Sequence, residues 1–217
     1  MKYDVIYADP PWKFSCYSKK GEGRSAANHY PTLDLEALKA LPVESISADN
    51  SCLFLWGCNS MLPEALELME AWGFEYKTVA FTWVKTNKKK TDTLFFGLGF
   101  HTRQNSEFCL LGTRGKPTRV SKSVSSVIWE HEEIPTESIV RPIMEHSSKP
   151  PEIRDRIQEL MGDELNYIEL FARSRKLQDG IWTNIGNEVE GDMGDIRESL
   201  DMLIKGGIEY VRNRTKL

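Results

Sequence analysis

An α/β fold with a doubly wound, mostly parallel sheet is predicted by three observations. Short apolar segments, such as Tyr3-Asp4-Val5-Ile6-Tyr7-Ala8 and the continuous run Cys52-Leu53-Phe54-Leu55-Trp56, have the composition of buried strands. Between them, apolar residues recur at helical spacing, as in Ile153, Ile157, Leu160 and Met161. The two patterns alternate along the chain, which is the signature of strands joined by helical crossovers. With 217 residues, 40% hydrophobic, six Trp and nine Phe, the chain can build one sizeable core. Residues 1–190 are expected to form the catalytic domain and 191–217 a helical extension.

The first strand is expected at Tyr3 to Ala8. A polar, glycine-containing stretch from Ser15 to Asn28 is too long for a tight connection and reads as a mobile active-site loop. Thr32 or Asp34 can cap a helix through Leu35, Leu38 and Leu41. After the second strand, Ser60 is expected to cap a helix carrying Leu62, Leu66 and Met69, stopped by Gly73. Further strands are read at Thr78 to Lys85, Ser106 to Leu111 and Ser125 to Trp129. Lys149-Pro150-Pro151-Glu152 opens a helix, with prolines at its first positions and acids in its first turn, and Gly162 closes it. Tyr167 to Phe171 is the last strand read, and Ile196, Leu200, Leu203 and Ile204 mark a closing helix before a basic tail.

The chemistry concentrates in Asp9-Pro10-Pro11-Trp12. Proline fixes φ and has no N–H, so Pro10 and Pro11 end the first strand and send the chain out stiffly extended. Asp9 then sits at a strand's carboxyl end, where α/β folds place ligand crevices. Asp-Pro-Pro is also ordinary turn chemistry. As a site, it suits an exocyclic amine on a planar base. Asp9 and the proline carbonyls, expected to point outward unpaired, would accept the two N–H groups, while Trp12 stacks on the ring. Adenine N6 is a poor nucleophile because its lone pair is delocalised. Drawing both hydrogens out of plane would free that lone pair for an incoming methyl group, by positioning and polar stabilisation.

Net charge is −4, but nine Lys or Arg stand between Lys85 and Lys122 against only Asp92 and Glu107. Such a basic segment on an acidic body can be a phosphate footprint or a solvated loop, and Lys88, Lys89 and Lys90 taken alone favour the loop. The four cysteines have no metal-ligand spacing, so no metal is expected and reduced thiols in a cytoplasmic protein are. No apolar run has membrane-spanning length and no signal-peptide pattern opens the chain. The glycine fingerprint of dinucleotide binding is absent, which argues against a nicotinamide enzyme.

Several segments together resemble the MT-A70 family of S-adenosylmethionine-dependent adenine-N6 methyltransferases. They are Asp9-Pro10-Pro11-Trp12, His29-Tyr30-Pro31-Thr32, Leu53-Phe54-Leu55-Trp56 and Trp83-Val84-Lys85-Thr86-Asn87. They continue with Glu145-His146-Ser147, Lys149-Pro150, Glu169-Leu170-Phe171-Ala172-Arg173 and Gly186-Asn187-Glu188, all in the family's order. The resemblance implies a Rossmann-like methyltransferase fold in permuted order, with the catalytic corner first and the cofactor strand last. It implies that Asp9, Pro10, Pro11 and Trp12 form the target-amine site, with Asp9 also near the methionine amino group of S-adenosylmethionine. Lys149 would meet the cofactor's carboxylate, and Phe171, Arg173, Asn187 and Glu188 would line its ribose and adenosine. Tyr30 and Lys85 would lie on the substrate side. Ser174-Arg175-Lys176 stands where the eukaryotic messenger-RNA enzymes carry Pro-His-Asn, so the chain resembles the bacterial and phage branch, which implies DNA as substrate and leaves RNA, or a non-catalytic nucleic-acid-binding subunit, as alternatives. A homo-oligomer and a partner subunit are both compatible with the family. Only eight residues precede Asp9, so the contact to the cofactor adenine is expected to come from elsewhere or to be missing.

Overall fold

The first apolar run forms β1 (Tyr3–Ala8), and the sheet extends from it in both directions. The structure, a computed structural model, describes residues 1–13, 32–87, 90–97, 99–128, 141–142, 149–173, 178–189 and 195–206. The expected loop over 15–28, Tyr30, Lys88, Lys89, Trp129, Glu145-His146-Ser147 and the basic tail lie outside those residues.

The chain leaves β1 through helices α1 (Leu35–Lys39) and α2 (Val43–Ile46) and returns as β2 (Ser47–Gly57). Helix α3 (Leu62–Ala71) leads to β3 (Glu75–Asn87), which turns into β4 (Lys90–Leu94), and β5 (Ser106–Arg114) follows. After the short strands β6 (Val127–Ile128) and β7 (Arg141–Pro142) come α4 (Glu152–Met161), β8 (Tyr167–Leu170), β9 (Gln178–Asp179), β10 (Trp182–Ile185) and α5 (Ile196–Gly206). The strand order is β4-β3-β5-β2-β1-β8-β10-β9, with β6 and β7 against the outer edge of β3.

The centre, β2-β1-β8-β10, is parallel. Strand β5 runs antiparallel to both β2 and β3. It can do so because only β4 and its connections, with no helical crossover, separate it from β3. Side chains of β1 alternate between the two faces. Ile6 and Ala8 join a core built with Leu38, Ile46, Leu68, Trp72 and Leu200, whereas Val5 and Tyr7 join Ile153, Ile157 and Trp182. Helices α1, α2, α3 and α5 therefore cover one face and α4 the other, the doubly wound arrangement expected.

Asp34 caps α1, its Oδ1 accepting the Ala37 N–H at 2.9 Å. Ser60 does not cap α3. It lies in a 3-10 turn, Asn59–Met61, and Met61 takes the cap position without a side-chain bond. The inward stripe of α3 is consequently Ala65, Leu68 and Met69, with Leu62 exposed. Strands β9 and β10 were not expected. Among the described residues, no helix is long and apolar enough to cross a membrane.

Candidate active site

Registers place the carboxyl ends of five strands on one edge. Ala8 pairs with Leu55 and Leu170, Leu170 with Ile185, and Val84 of β3 with Ser106 at the start of β5. Asp9, Cys58, Lys85, Glu107, Phe171 and Gly186 all emerge there. The connection leaving β1 runs to β2 on one side and that leaving its neighbour β8 runs to β9 and β10 on the other, and open α/β sheets form their crevice at such a point.

The corner after β1 is tied more tightly than the sequence suggests. The Trp12 N–H donates to the Pro10 carbonyl at 2.8 Å, closing a three-residue turn about Pro11, and the Leu33 N–H donates to the Pro11 carbonyl at 3.0 Å. The expectation that both carbonyls are unpaired is therefore corrected. Each still has a second lone pair. Trp12 is also corrected: its side chain is only 4% exposed, packs in the core and donates Nε1–H to the Trp56 carbonyl at 3.0 Å. A buried indole cannot offer its face to a base, and Trp12 instead fastens the corner to the end of β2.

Asp9 heads a chain of four charges. Both of its carboxylate oxygens lie 2.8 Å from the Lys149 ammonium, which also stands 3.3 Å from Glu107 Oε2. The other oxygen of Glu107 accepts from Lys85. Lys149 lies 5.4 Å from the centre of the Trp56 ring and Lys85 lies 4.9 Å from that of Trp83, so indole faces support both cations. Trp56 is held in turn by its Nε1–H bond to the Tyr7 hydroxyl at 2.8 Å.

The environments of the acids differ. Burial raises the Asp9 carboxyl above its usual range, opposed by Lys149. Burial would raise Glu107 as well, but Lys149 and Lys85 outweigh it and bring the group down to about 2. Burial disfavours the charged Lys149, and Asp9 with Glu107 more than compensate, so its pKa is raised. Glu169, next to Tyr7 across the β1–β8 pair, is pushed up to about 7 by burial, against the Arg154 guanidinium 3.5 Å away.

On the other side of Asp9 the ends of β8 and β10 come together. Phe171 has φ of +62°, a left-handed conformation that costs a non-glycine residue energy, and its ring packs partly against the core. Ala172 N–H donates to the Ile185 carbonyl at 2.8 Å. At Gly186 a Cβ would collide with the Ala172 backbone, so only glycine allows this approach. Asn187 and Glu188 follow, exposed, with Glu188 3.9 Å from Arg173.

Of the residues singled out from sequence, Asp9, Lys149 and Lys85 thus form one cluster, and Phe171, Arg173, Asn187 and Glu188 form the adjoining strand ends. Lys90 is in β4. Sequence reasoning missed Glu107, which appeared only as a charge in the basic segment. The available signal was an acid next to the apolar run Phe108 to Leu111, since a buried acid needs a partner.

Residues 3–188 match the MT-A70 family. The chain belongs to the MT-A70 methyltransferase family. It is 36% identical over 205 residues to the type II methyltransferase M.MunI of a Mycoplasma species, covering 87% of this chain and 78% of that protein. It is 27% identical over 190 residues to the N(6)-adenosine-methyltransferase MT-A70-like protein of Drosophila melanogaster and to the N(6)-adenosine-methyltransferase catalytic subunit METTL3 of Homo sapiens. Those matches take in 88% of this chain but span only 27% and 29% of the two relatives.

Proposed function

We propose that this chain transfers a methyl group from S-adenosylmethionine to N6 of adenine in DNA. The observation that carries the reading is Asp9, an acid on the stiff Pro-Pro corner at the end of β1, paired with the buried Lys149. The closer match to the Mycoplasma type II methyltransferase than to the N(6)-adenosine-methyltransferases favours DNA over RNA, together with the bacterial-branch resemblance.

The residues present fit the cofactor. Asp9 with Lys149, and Glu188 with Arg173, give opposed charges suited to an amino-acid zwitterion and to polar ribose contacts. Gly186 lets the end of β10 approach the Ala172 backbone, which brings Glu188 beside Arg173. Lys149 would hold the carboxylate end, with Asp9 facing the amino end, and Phe171, Arg173, Asn187 and Glu188 would line the nucleoside. When bound, S-adenosylmethionine supplies an electrophilic methyl group. Asp9 and the second lone pair of the Pro10 carbonyl accept the two N6 hydrogens and hold the amine for attack. Raised proton affinity suits Asp9 to take the proton that leaves N6.

The test is transfer of radiolabelled methyl to DNA and to RNA, followed by nucleoside analysis. Wild-type protein is expected to yield N6-methyladenine in DNA. Asp9→Ala should fold with an unchanged circular dichroism spectrum and lose at least about 100-fold in rate, the scale of a lost positioning and polar contribution. Near wild-type transfer by that variant would remove Asp9 from the mechanism, and product only in RNA would overturn the substrate.

A further inference from the structure

Lys149 stands between two carboxylates that are held differently. It reaches both oxygens of Asp9 at 2.8 Å and Oε2 of Glu107 at 3.3 Å. Both acids are fixed in place. Asp9 is on the proline corner that the Trp12 indole ties down. Glu107 belongs to β5, where it pairs with Trp83 of β3, and its other oxygen accepts from Lys85. Lys85 in turn lies over the Trp83 ring, which is buried. The cation between the two acids ends a long side chain that rests on the Trp56 ring, 5.4 Å from its centre. An indole face supports an ammonium without tying it to one atom, so Lys149 is the movable member of the three.

A carboxylate capped by an ammonium is held ionised and is a poor base. In the reading above, Asp9 accepts the N6 hydrogens and takes the leaving proton, yet one ammonium engages both of its oxygens. The cation has to move off Asp9 without leaving the site. Among the described residues, Glu107 is the other acid that Lys149 reaches. Despite burial, which raises it, Lys149 and Lys85 hold Glu107 down to about 2, so it remains an anion when Asp9 is protonated. The other titratable groups around Asp9 cannot take its place. Burial pushes Cys58 up to about 11 and also keeps Cys109 and Tyr7 protonated. Arg173 is a cation, and Glu169 faces Arg154 at 3.5 Å.

We propose that Glu107 is a positioning residue for methyl transfer: it draws the Lys149 ammonium off Asp9 towards β5. That frees the Asp9 carboxylate for the N6 amine and keeps Lys149 in the site. This rests on the adenine-N6 reading above. As the N6 proton passes to Asp9, the N–H electron pair stays on nitrogen and Asp9 becomes neutral. Glu107 then still balances the Lys149 charge.

The test follows methyl transfer against pH for the unaltered protein, Glu107→Gln and Glu107→Asp, at saturating S-adenosylmethionine and on a nucleic acid that the unaltered protein methylates. For Glu107→Gln, kcat should fall roughly tenfold or more, a share of what a positioned base contributes. Affinity for S-adenosylmethionine by calorimetry should change by less than about threefold, since the lost interaction serves the transition state. Burial raises Asp9 and the Glu107 charge adds to it, so the acid limb of the kcat profile should move to lower pH in this variant. Glu107→Asp keeps the charge with a shorter reach, so its rate and limb should lie between those of the other two proteins. It decides the matter alone if Glu107→Gln does not fold. An unmoved limb in a folded variant, whatever its rate, would make Glu107 a structural counter-ion and overturn the proposal. An unchanged kcat with weakened cofactor affinity would overturn it too, by assigning Glu107 to cofactor binding. Either result leaves the methyltransferase reading intact. No N6-methyladenine from the unaltered protein, in DNA or RNA, would overturn that reading and the positioning role with it.

Discussion

Two half-buried acids near the Asp9 corner carry opposite electrostatic consequences. Glu107 has two lysines and is held down to about 2 despite its burial, so it is ionised throughout the useful pH range. Its contribution to stability is present above its unfolded pKa near 4.5 and is lost as pH falls through about 2. Glu169 is raised to about 7 by burial, with Arg154 at 3.5 Å and shared with Asp179 at 3.4 Å. An acid whose folded pKa is raised works the other way: the native state prefers the protonated form, and stability is lost as pH rises from about 4.5 to about 7. Glu169→Gln, which mimics the protonated group, should match wild type near pH 4.5 and exceed it by about 1–3 kcal/mol at pH 8. Urea denaturation at the two pH values checks this, and equal stabilities at pH 8 would show that Arg154 already neutralises the group.

At the scale of the element, the corner depends on where strands stop and what fastens their ends. Pro10 and Pro11 stop β1, but the direction of Asp9 is set by the Trp12 indole, which links the turn to the last residues of β2. Trp12→Ala should therefore cost about 3–5 kcal/mol of stability, as expected for removing a buried Trp. Trp12→Phe retains most of the apolar contact and loses the Nε1 bond, at about 1–2 kcal/mol. Denaturation curves for the two variants separate packing from the hydrogen bond. A Trp12→Ala protein as stable as wild type would return the indole to the role of a base-stacking face. The partner strand ends β8 and β10 are brought within backbone contact by Gly186, with Phe171 at its positive φ across from it.

At the scale of the molecule, charge is uneven: a net −4 contains a segment of nine cations and two acids. One of those acids, Glu107, is consumed by Lys85 and Lys149 inside the site, so the outward balance of the segment is positive. DNA binding should weaken steeply with salt through counterion release. Replacing Lys88, Lys89 and Lys90 by Ala should reduce the slope of log K against log salt by up to about 2.7, at about 0.9 for each phosphate no longer neutralised. Affinity for S-adenosylmethionine should stay within about twofold, since the proposed cofactor residues Asp9, Lys149, Arg173 and Glu188 are all unaltered. Filter binding at several salt concentrations decides between this and a merely solvated lysine run. Helix α5 belongs to the same whole: Ile196, Leu200 and Leu203 sit in one cluster with Ile6 and Leu38 of the catalytic unit.

Local signals alone determined a good part of this protein. Apolar runs located β1, β2, β5 and β8, helical spacing and stop glycines located α3 and α4, and two prolines after Asp9 marked the end of β1. These properties are legible because they depend on neighbours in sequence: φ restriction, periodicity and capping. Strands β9 and β10 were not legible, because Gln178-Asp179 and Trp182-Thr183-Asn184-Ile185 include polar residues and form no apolar run. Nor was the direction of β5, which depends on which strand it meets. Tertiary structure alone decided the Asp9–Lys149–Glu107–Lys85 chain, whose members lie up to 140 residues apart. It also turned Trp12 from an expected stacking face into a buried clasp. Burial and long-range pairing are properties of the folded sheet, and a carboxylate acquires its partner only when distant strand ends are set side by side.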